Sequence, residues 1–334
     1  MIITQTPFRM SFFGGGTDME SFFRENGGAV LSTTFDKYCY VNVRHLPRFF
    51  DYSTELSYSR TERVTSIEDI EHPAIRNAMK MLDMHEIRLT YEADLPARSG
   101  LGTSSSFAVG MLNAFYALKG KYADKKKLAD EAIYLERVLC EEAGGWQDQI
   151  AASFGGFNRI NFNTDGTYDV LPVIIFPERK KNLNDNLMMF FTGFTRFSSD
   201  VQKANAGTKE TQEAKEKRYL EMLSLVDKAE QILTDKNTDL DNFGRLLDHT
   251  WKLKKQTGSA VSTNSIDALY EKGMQAGALG GKLLGAGGGG FLVFYVQPEY
   301  QEAVKEAMKE LMYIPFRFED GGTRVIHYTP ETYV

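Results

Sequence analysis

The chain has 334 residues, a length more typical of two domains than of one. Its composition is 42% hydrophobic and 25% charged, which excludes a disordered, collagen-like or coiled-coil protein. A net charge of -6 excludes a protein that coats nucleic acid, and the longest apolar runs are strand-sized, so we expect a cytoplasmic protein without nucleic-acid or membrane partners. Cys39 and Cys140 are expected to be reduced thiols. The sequence leaves open whether the protein forms a homodimer.

The first half of the chain alternates predicted strands and helices. Apolar residues at strand or helix spacing, interrupted by glycines, set the bounds of these elements. The predicted strands cover 2–13, 30–44 with a turn at Asp36-Lys37, and 86–91, and the predicted helices cover 18–24, 72–82, 107–118, 125–142 and 146–153.

The chain becomes polar over 163–186, and we place a boundary there between domains 1–175 and 176–334. The second half mixes strands and helices without the regular alternation of a doubly wound sheet. Its predicted elements are a strand over 187–192, helices over 199–234, 241–256 and 265–277, a strand over 291–296, a helix over 298–312 and two short strands.

A loop rich in glycine and hydroxyl residues precedes the helix predicted at 107–118. Glycines let successive backbone N–H groups point at one anion, and a helix N-terminus adds partial positive charge. The loop therefore predicts a phosphate site, with a serine-rich helix cap as the alternative. No lysine follows the second glycine, which excludes an ordinary P-loop. The candidate phosphate-binding residues are Gly100, Leu101, Gly102, Thr103, Ser104, Ser105 and Ser106.

A second glycine run, GAGGGG at 285–290, precedes the strand predicted at 291–296. Its letters fit the dinucleotide pattern GxGxxG, but that pattern stands between a strand and a helix, whereas here a helical segment precedes and a strand follows. Successive glycines are costly in backbone entropy. We therefore expect this loop to approach a ligand or another backbone closely, with a flexible connector as the alternative.

Four charged residues stand at unusual positions. Arg9 lies among apolar strand residues and needs an anionic partner. Asp18 follows three glycines and suits binding of hydroxyl groups, or else caps the next helix. Glu136 falls near the edge of an apolar helix stripe and needs a metal or a salt bridge. Asp148 follows a flexible turn, and spacing alone leaves open whether it converges with Glu136 on the phosphate loop as base and magnesium ligand.

Three motifs in one order resemble those of the GHMP kinase superfamily, named for galactokinase, homoserine kinase, mevalonate kinase and phosphomevalonate kinase. They are PFRMSFFGGGTD at 7–18, PARSGLGTSS at 96–105 and KLLGAGGGGF at 282–291. The resemblance covers essentially the whole chain. It implies a two-domain α+β fold, the first domain like the second domain of ribosomal protein S5 and the second ferredoxin-like, with the active site in the cleft.

The same resemblance implies ATP as phosphoryl donor, Mg²⁺ as cofactor and a role for each matching residue. The ATP phosphates would lie in the second motif, with Ser104 and Glu136 binding magnesium. Asp148 would accept the proton of the attacking hydroxyl, and Arg9 would stabilise charge on the transferred phosphoryl group. The candidate substrate contacts are Gly15, Gly16, Thr17, Asp18, Arg98, Arg196, Gly287, Gly288 and Gly289.

Two departures from the galactokinase pattern concern the substrate. Gly14-Gly15-Gly16 replaces a Gly-Glu-His stretch and so removes a sugar-binding carboxylate, whereas Thr103 in place of serine is a mild change. The first motif together with GGWQDQ at 144–149 resembles the branch that phosphorylates the anomeric hydroxyl of a heptose phosphate, on the way to nucleotide-activated heptose.

A phosphorylated sugar needs cations at the far end of its pocket, and Arg98, Arg196 and Lys203 are the candidates. The small-molecule partners implied are therefore ATP and a sugar phosphate. Two alternatives remain: a kinase for an unphosphorylated sugar such as fucose, and a catalytically silent relative that only binds a sugar.

Overall fold

A computed structural model describes residues 1–193, 212–258 and 260–330. These residues form two largely antiparallel sheets with helices packed against them. The strands are β1 (Ile2–Phe13), β2 (Gly28–His45), β3 (Thr54–Ser57), β4 (Thr61–Val64), β5 (Ile87–Ala93), β6 (Phe157–Phe162), β7 (Tyr168–Pro172), β8 (Leu187–Phe191), β9 (Ala278–Leu283), β10 (Phe291–Val296), β11 (Met312–Ile314), β12 (Phe318–Glu319) and β13 (Arg324–Tyr328).

A π-helical turn over Tyr134–Leu139 continues the fourth helix. In the described ranges, no helix combines the length and the apolar composition that a membrane span requires. The α-helices are α1 (Glu20–Asn26), α2 (Pro73–Met81), α3 (Thr103–Leu118), α4 (Lys125–Ile133), α5 (Gln147–Phe154), α6 (Pro177–Asp185), α7 (Gln212–Thr234), α8 (Asp241–Lys255), α9 (Asn264–Gln275) and α10 (Gln301–Ala307).

The first sheet has the strand order β13-β1-β2-β5-β3-β4, with β6 and β12 paired to other stretches of β2 and β7 paired to β6. Helix α3 packs across β1 and β2. This helix is apolar on nearly every face, and almost all of its residues are buried, as expected of a helix inside a core. The packing brings the start of α3 next to the middle of β1.

The second sheet has the order β11-β8-β10-β9, and all its strand pairs are antiparallel. Helix α8 packs on β9 and β10 and also contacts β1. Phe12 and Phe13 of β1 meet the ring of Phe243 in α8 edge-on, with centroids 5.3 and 5.2 Å apart. The two sheets therefore share apolar contacts at the end of the chain's first strand.

The prediction of a strand, a turn and a second strand over 30–44 is wrong. Strand β2 runs unbroken over Gly28–His45. Opposite it, Pro7 pairs with Tyr38 but Phe8 pairs with Phe35, so two residues of β2 are left over as a bulge. A bulge absorbs extra residues without ending the strand, and Asp36-Lys37 forms such a bulge.

Other predicted bounds also need correction. The helix predicted over 125–142 is α-helical only to Ile133, and the segment before the second glycine run is strand β9, so that run joins two strands. The α-helix within 298–312 ends at Ala307, and three short strands follow where two are predicted. The helix predicted over 199–234 is described only from Gln212 onward. The domain division after residue 175 stays a prediction, and β12 and β13 return to the first sheet.

Candidate active site

The first glycine loop leads directly into helix α3. Gly102 precedes the helix with a left-handed backbone (φ +72°), and no side chain caps the N-terminus, which argues against the serine-rich cap. The helix begins at Thr103, four residues earlier than predicted. Since the first N–H groups of a helix have no partner within it, this loop has the geometry of an anion site. Ser104 is exposed at its mouth, whereas Ser105 is buried.

Arg9 and Asp148 form an ion pair beside this loop. Arg9 lies in β1 and Asp148 in the first turn of α5. The Nε and Nη2 atoms of Arg9 lie 2.8 and 2.7 Å from Asp148 Oδ1, and Nη1 donates to the carbonyl of Gly100 at 2.7 Å. The arginine side chain is 5% exposed and the carboxylate 24%. The guanidinium of Arg9 is therefore buried, whereas solvent reaches the carboxylate of Asp148.

Glu136 is a buried carboxylate that hydroxyl and amide groups surround. It lies in the π-helical turn and is 1% exposed; such turns occur frequently at functional sites. Ser104 Oγ donates to Oε1 at 2.8 Å, Ser105 Oγ donates to Oε2 at 2.6 Å, and the Gln149 amide also donates to Oε2. Within the described residues Glu136 has no salt bridge, so the salt-bridge alternative is wrong.

The oxygen atoms of Ser104 and Glu136 fit a magnesium ion. Mg²⁺ prefers oxygen ligands and binds through one or two carboxylates together with substrate phosphates and water. In the described part of the chain, no three His, Cys, Asp or Glu side chains form a metal cluster. A magnesium ion held by Ser104 and Glu136 would complete its ligands with nucleotide phosphates and water.

Asp18 lies beside the catalytic candidates and is 3% exposed. Its Oδ1 accepts the N–H of Gly16 at 2.9 Å, and its Oδ2 accepts the N–H of Gln147 at 3.4 Å. Burial raises the pKa of Asp18, and the negative charge of Asp148 raises it further. The N-cap of α1 is Met19, so the alternative role of Asp18 as a helix cap is wrong.

Two further substrate candidates in the first motif occupy different surroundings. A Cβ built on Gly15 would have nothing within 4 Å, so Gly15 borders open space. Thr17 is buried, and its hydroxyl lies 2.8 and 2.9 Å from the carbonyl oxygens of Gly14 and Ala29. The structure therefore places Thr17 inside the turn, where its hydroxyl holds the backbone.

The second glycine run packs against the phosphate loop, backbone to backbone. A Cβ on Gly285 would lie 2.3 Å from the Cα of Gly100, and one on Gly290 would lie 2.1 Å from the carbonyl oxygen of Ser99. The expected close approach to another backbone is confirmed. The substrate candidates of this run continue the same turn at positive φ angles of 121°, 77° and 155°, for Gly287, Gly288 and Gly289.

The cations predicted for a substrate phosphate are only partly placed. Arg98 is exposed in the phosphate loop with φ +60°, and its backbone N–H donates to Thr103 Oγ1 at 3.3 Å. Arg196 and Lys203 lie outside the described residues.

Lys254 belongs to the site although sequence reasoning missed it. It lies half-buried in the last turn of α8, and its Nζ donates to the carbonyl of Gly285. Burial and the positive charge of Arg9 lower its pKa to about 8, against the opposing effect of Asp18 and Asp148. In the sequence it stands in WKLKK, which is typical of a solvated basic helix face. No local signal distinguishes it.

Lys282 and Gln149 were also missed. Lys282 is 2% exposed and donates to the carbonyl oxygens of Ser11 and Phe12 at 2.8 and 2.9 Å, and burial holds its pKa well below the usual range. It ties β9 to β1. Gln149 is fully buried and holds Glu136. Both roles depend on partners far away in the sequence.

This arrangement suits transfer of a phosphoryl group to an alcohol. The helix N-terminus can bind phosphate, and Ser104 and Glu136 offer oxygen atoms to a cation. Arg9 places a positive charge beside the carboxylate of Asp148. Fold and site together define a kinase.

Comparison with known proteins identifies the family. Residues 70–156 match GHMP kinases N terminal domain and residues 229–314 match GHMP kinases C terminal, together just over half of the chain. The D-glycero-alpha-D-manno-heptose 7-phosphate kinase of Campylobacter jejuni is 29% identical over 97% of this chain and 98% of its own. The L-fucokinase/L-fucose-1-P guanylyltransferase of Bacteroides fragilis is 31% identical over 66% of this chain and 23% of its own.

A solved structure shows the same fold. The D-glycero-D-manno-heptose 1-phosphate kinase of Bacteroides thetaiotaomicron superposes with a TM-score of 0.78 over all of both chains at 23% identity. The chain belongs to the GHMP kinase family, with its two-domain α+β fold. It is a phosphotransferase with an alcohol group as acceptor, and ATP is the phosphoryl donor of this family.

Proposed function

We propose that this enzyme uses ATP and Mg²⁺ to phosphorylate the anomeric C1 hydroxyl of D-glycero-D-manno-heptose 7-phosphate. The product would be the 1,7-bisphosphate, an intermediate on the way to nucleotide-activated heptose. The Arg9–Asp148 pair on the phosphate loop carries the proposal of phosphoryl transfer. The similarity to the Campylobacter enzyme over nearly the whole of both chains supports the sugar.

The proposed mechanism assigns the proton to Asp148. One carboxylate oxygen is held by Arg9 at 2.7 Å, and the side chain is accessible enough to meet a substrate hydroxyl. Asp148 takes the proton as the C1 oxygen attacks the γ-phosphorus. Arg9, fixed between Asp148 and the carbonyl of Gly100, stabilises the negative charge that spreads over the transferred group. Residues 100–106 hold the ATP phosphates.

Ser104 and Glu136 would hold the magnesium ion. When bound, Mg²⁺ neutralises charge on the β- and γ-phosphates. The Ser104 hydroxyl donates to Glu136 at 2.8 Å, so the two side chains lie together. Gln149 and Ser105 keep the carboxylate in place from its other oxygen.

Sugar recognition is assigned to the first motif, to the second glycine run and to two arginines. Asp18 would accept hydrogen bonds from sugar hydroxyls, with Gly15 leaving room for the ring and Gly287, Gly288 and Gly289 lining the same cleft. Gly16 would keep the turn next to Tyr219, since a Cβ on Gly16 would lie 2.8 Å from the ring of Tyr219. Arg98 and Arg196 would bind the remote phosphate. On this proposal the cleft lies between domains 1–175 and 176–334.

A second candidate is a kinase for an unphosphorylated sugar such as fucose. The similarity to the Bacteroides fragilis protein, whose name includes L-fucokinase, favours it. The two candidates differ in the need for a cation at the far end of the pocket. Arg98→Ala and Arg196→Ala should each raise KM strongly for a heptose phosphate and leave KM for a neutral sugar nearly unchanged.

An acceptor panel tests the proposal. Purified protein with ATP and Mg²⁺ is assayed for ADP release with heptose 7-phosphate, heptose 1-phosphate, fucose, galactose, mannose and mevalonate. Turnover with heptose 7-phosphate alone supports the proposal. Turnover with a neutral sugar alone retains the kinase and overturns the phosphate pocket.

A further inference from the structure

We propose that Lys254 is a further catalytic residue, whose ammonium group contacts the transferred phosphoryl group together with Arg9. The proposal rests on the function proposed above. It starts from the contact between Gly100 and Gly285, where a Cβ on Gly285 would lie 2.3 Å from the Cα of Gly100. The Arg9 guanidinium holds the carbonyl of Gly100 and the Lys254 ammonium holds that of Gly285. The side chains of Arg9 and Lys254 thus bind the backbone at the place where the two glycine loops touch.

The bonding of Lys254 is incomplete, unlike that of the other buried lysine. Lys282 is 2% exposed and donates to two carbonyl groups. Lys254 is half-buried, donates to one carbonyl, and has no carboxylate within salt-bridge distance in the described ranges. An ammonium group has three N–H donors. Lys254 therefore retains donors for an oxygen of the substrate.

The charges around Lys254 favour an incoming anion. The charges of Arg9 in β1, Asp18 in the first glycine turn and Asp148 in α5 act on the pKa of Lys254, and the charge of Lys254 acts on the pKa of Lys282 in β9. Asp148 is already paired with Arg9, and Asp18 accepts two backbone N–H groups. A half-buried cationic group near a second cation is stabilised when a phosphoryl group arrives.

The step balances without a further reactant. Asp148 takes the hydroxyl proton, the acceptor oxygen forms a bond to the γ-phosphorus, and the bond from that phosphorus to the oxygen that leaves with ADP breaks. Lys254 donates an N–H to a non-bridging oxygen throughout and is regenerated unchanged. Its contribution lies in the transition state, so we expect kcat to depend on it more than KM.

The test compares Lys254→Met and Lys254→Arg with Lys252→Met as matched control. Lys252 lies on the same helix, is exposed, and pairs with Asp248 at 2.7 Å. We expect Lys254→Met to lower kcat by about 10²- to 10³-fold with a small change in KM. Lys254→Arg should retain a large part of the wild-type kcat, and Lys252→Met should have the kcat of the wild type. A kcat for Lys254→Met within about twofold of the control overturns the proposal.

The pH profile separates this role from a structural one. With a pKa near 8, Lys254 loses its proton as pH rises, so kcat/KM of the wild type should fall through a basic limb at about that pH. Arginine stays protonated, so Lys254→Arg should move the limb to higher pH. An unchanged limb in Lys254→Arg overturns the proposal.

Thermal melting guards against a variant that merely fails to fold. Because burial disfavours the charged lysine, Lys254→Met should melt at or above the temperature of the wild type at pH 7. The kinetic comparison uses whichever acceptor of the panel the wild type phosphorylates, or ATP hydrolysis if none is turned over. If heptose 7-phosphate is not phosphorylated but Lys254→Met is still slower than the wild type with another acceptor, only the proposed substrate is overturned. If Lys254→Met and the wild type react at equal rates, the role of Lys254 is overturned.

Discussion

Gly100 and Gly285 lie backbone against backbone, although they belong to glycine loops in different halves of the chain. A Cβ on Gly100 would approach the carbonyl oxygen of Leu284 to 2.3 Å, and one on Gly285 would approach the Cα of Gly100 equally closely. Arg9 holds the carbonyl of one glycine and Lys254 that of the other. The second glycine run therefore buttresses the phosphate loop and fixes where phosphates can bind.

Gly285→Ala should lower both stability and affinity for ATP. Gly120→Ala is the matched control, because Gly120 has a positive φ of 67°, near the 81° of Gly285, but nothing within 4 Å of its Cβ position. The control should lose about 1 kcal/mol of unfolding free energy through backbone strain alone. Gly285→Ala should lose about 1–3 kcal/mol more through the clash, with a higher KM for ATP. Denaturant unfolding that gives equal losses for both variants would count against the contact.

Substitution of Arg9 should slow catalysis more than it weakens binding. Arg9→Lys keeps the charge but cannot reach Asp148 and Gly100 together as the forked guanidinium does. We expect kcat to fall by about 10²-fold, and further in Arg9→Met. Arg159→Lys serves as control, since Arg159 pairs with Asp227 and Glu230 elsewhere. Steady-state kinetics that show only a raised KM would refute this role for Arg9.

Glu136→Gln should weaken the response to magnesium. The substitution keeps the size of the side chain but removes the charge that Ser104, Ser105 and Gln149 surround. The Mg²⁺ concentration for half-maximal activity should rise by about 10-fold or more. Glu141→Gln, at an exposed site, should leave it unchanged. A magnesium titration that superposes on wild type would show that Glu136 does not serve the metal.

Asp18→Asn should stabilise the protein while it impairs sugar binding. The folded-state pKa of Asp18 is raised above its usual 3.8, chiefly by burial, so the folded state holds its proton to higher pH than the unfolded state. Ionised Asp18 therefore costs stability at pH 7, and this cost disappears as pH falls toward 3.8. Asp18→Asn should have a higher melting temperature than the wild type at pH 7, and the difference should become smaller as the pH falls. Asp51→Asn, at an exposed position, should melt at the same temperature as the wild type. A lower melting temperature at pH 7 would contradict this reading.

The sequence predicts correctly those features of the fold and the site that depend on neighbouring residues. Strand β1 has the predicted bounds, and the phosphate loop stands before a helix as expected. The partner of Arg9 could be anticipated as an anion because an arginine among apolar strand residues needs one. The motifs in order also indicated the family, which the comparisons confirm.

What sequence reasoning missed depends on distant partners. Asp36-Lys37 looks like a turn because polar residues interrupt a strand, but tertiary pairing with β1 absorbs them as a bulge. Strand β9 is rich in glycine and follows the helix predicted over 265–277 with no strand predicted there, yet it pairs along β10. Lys254 reads as a surface lysine until α8 packs beside the glycine loop. No local pattern encodes such contacts.

The most direct test of the central claim is the conversion of heptose 7-phosphate by wild type and Asp148→Asn, followed by ³¹P NMR with ATP and Mg²⁺. Asparagine preserves the size of the side chain but cannot accept the hydroxyl proton. We expect the wild type to form one anomeric phosphate for each ADP released, and Asp148→Asn to be slower by about 10²- to 10⁴-fold. Equal rates of bisphosphate formation by the two proteins would show that Asp148 is not the base.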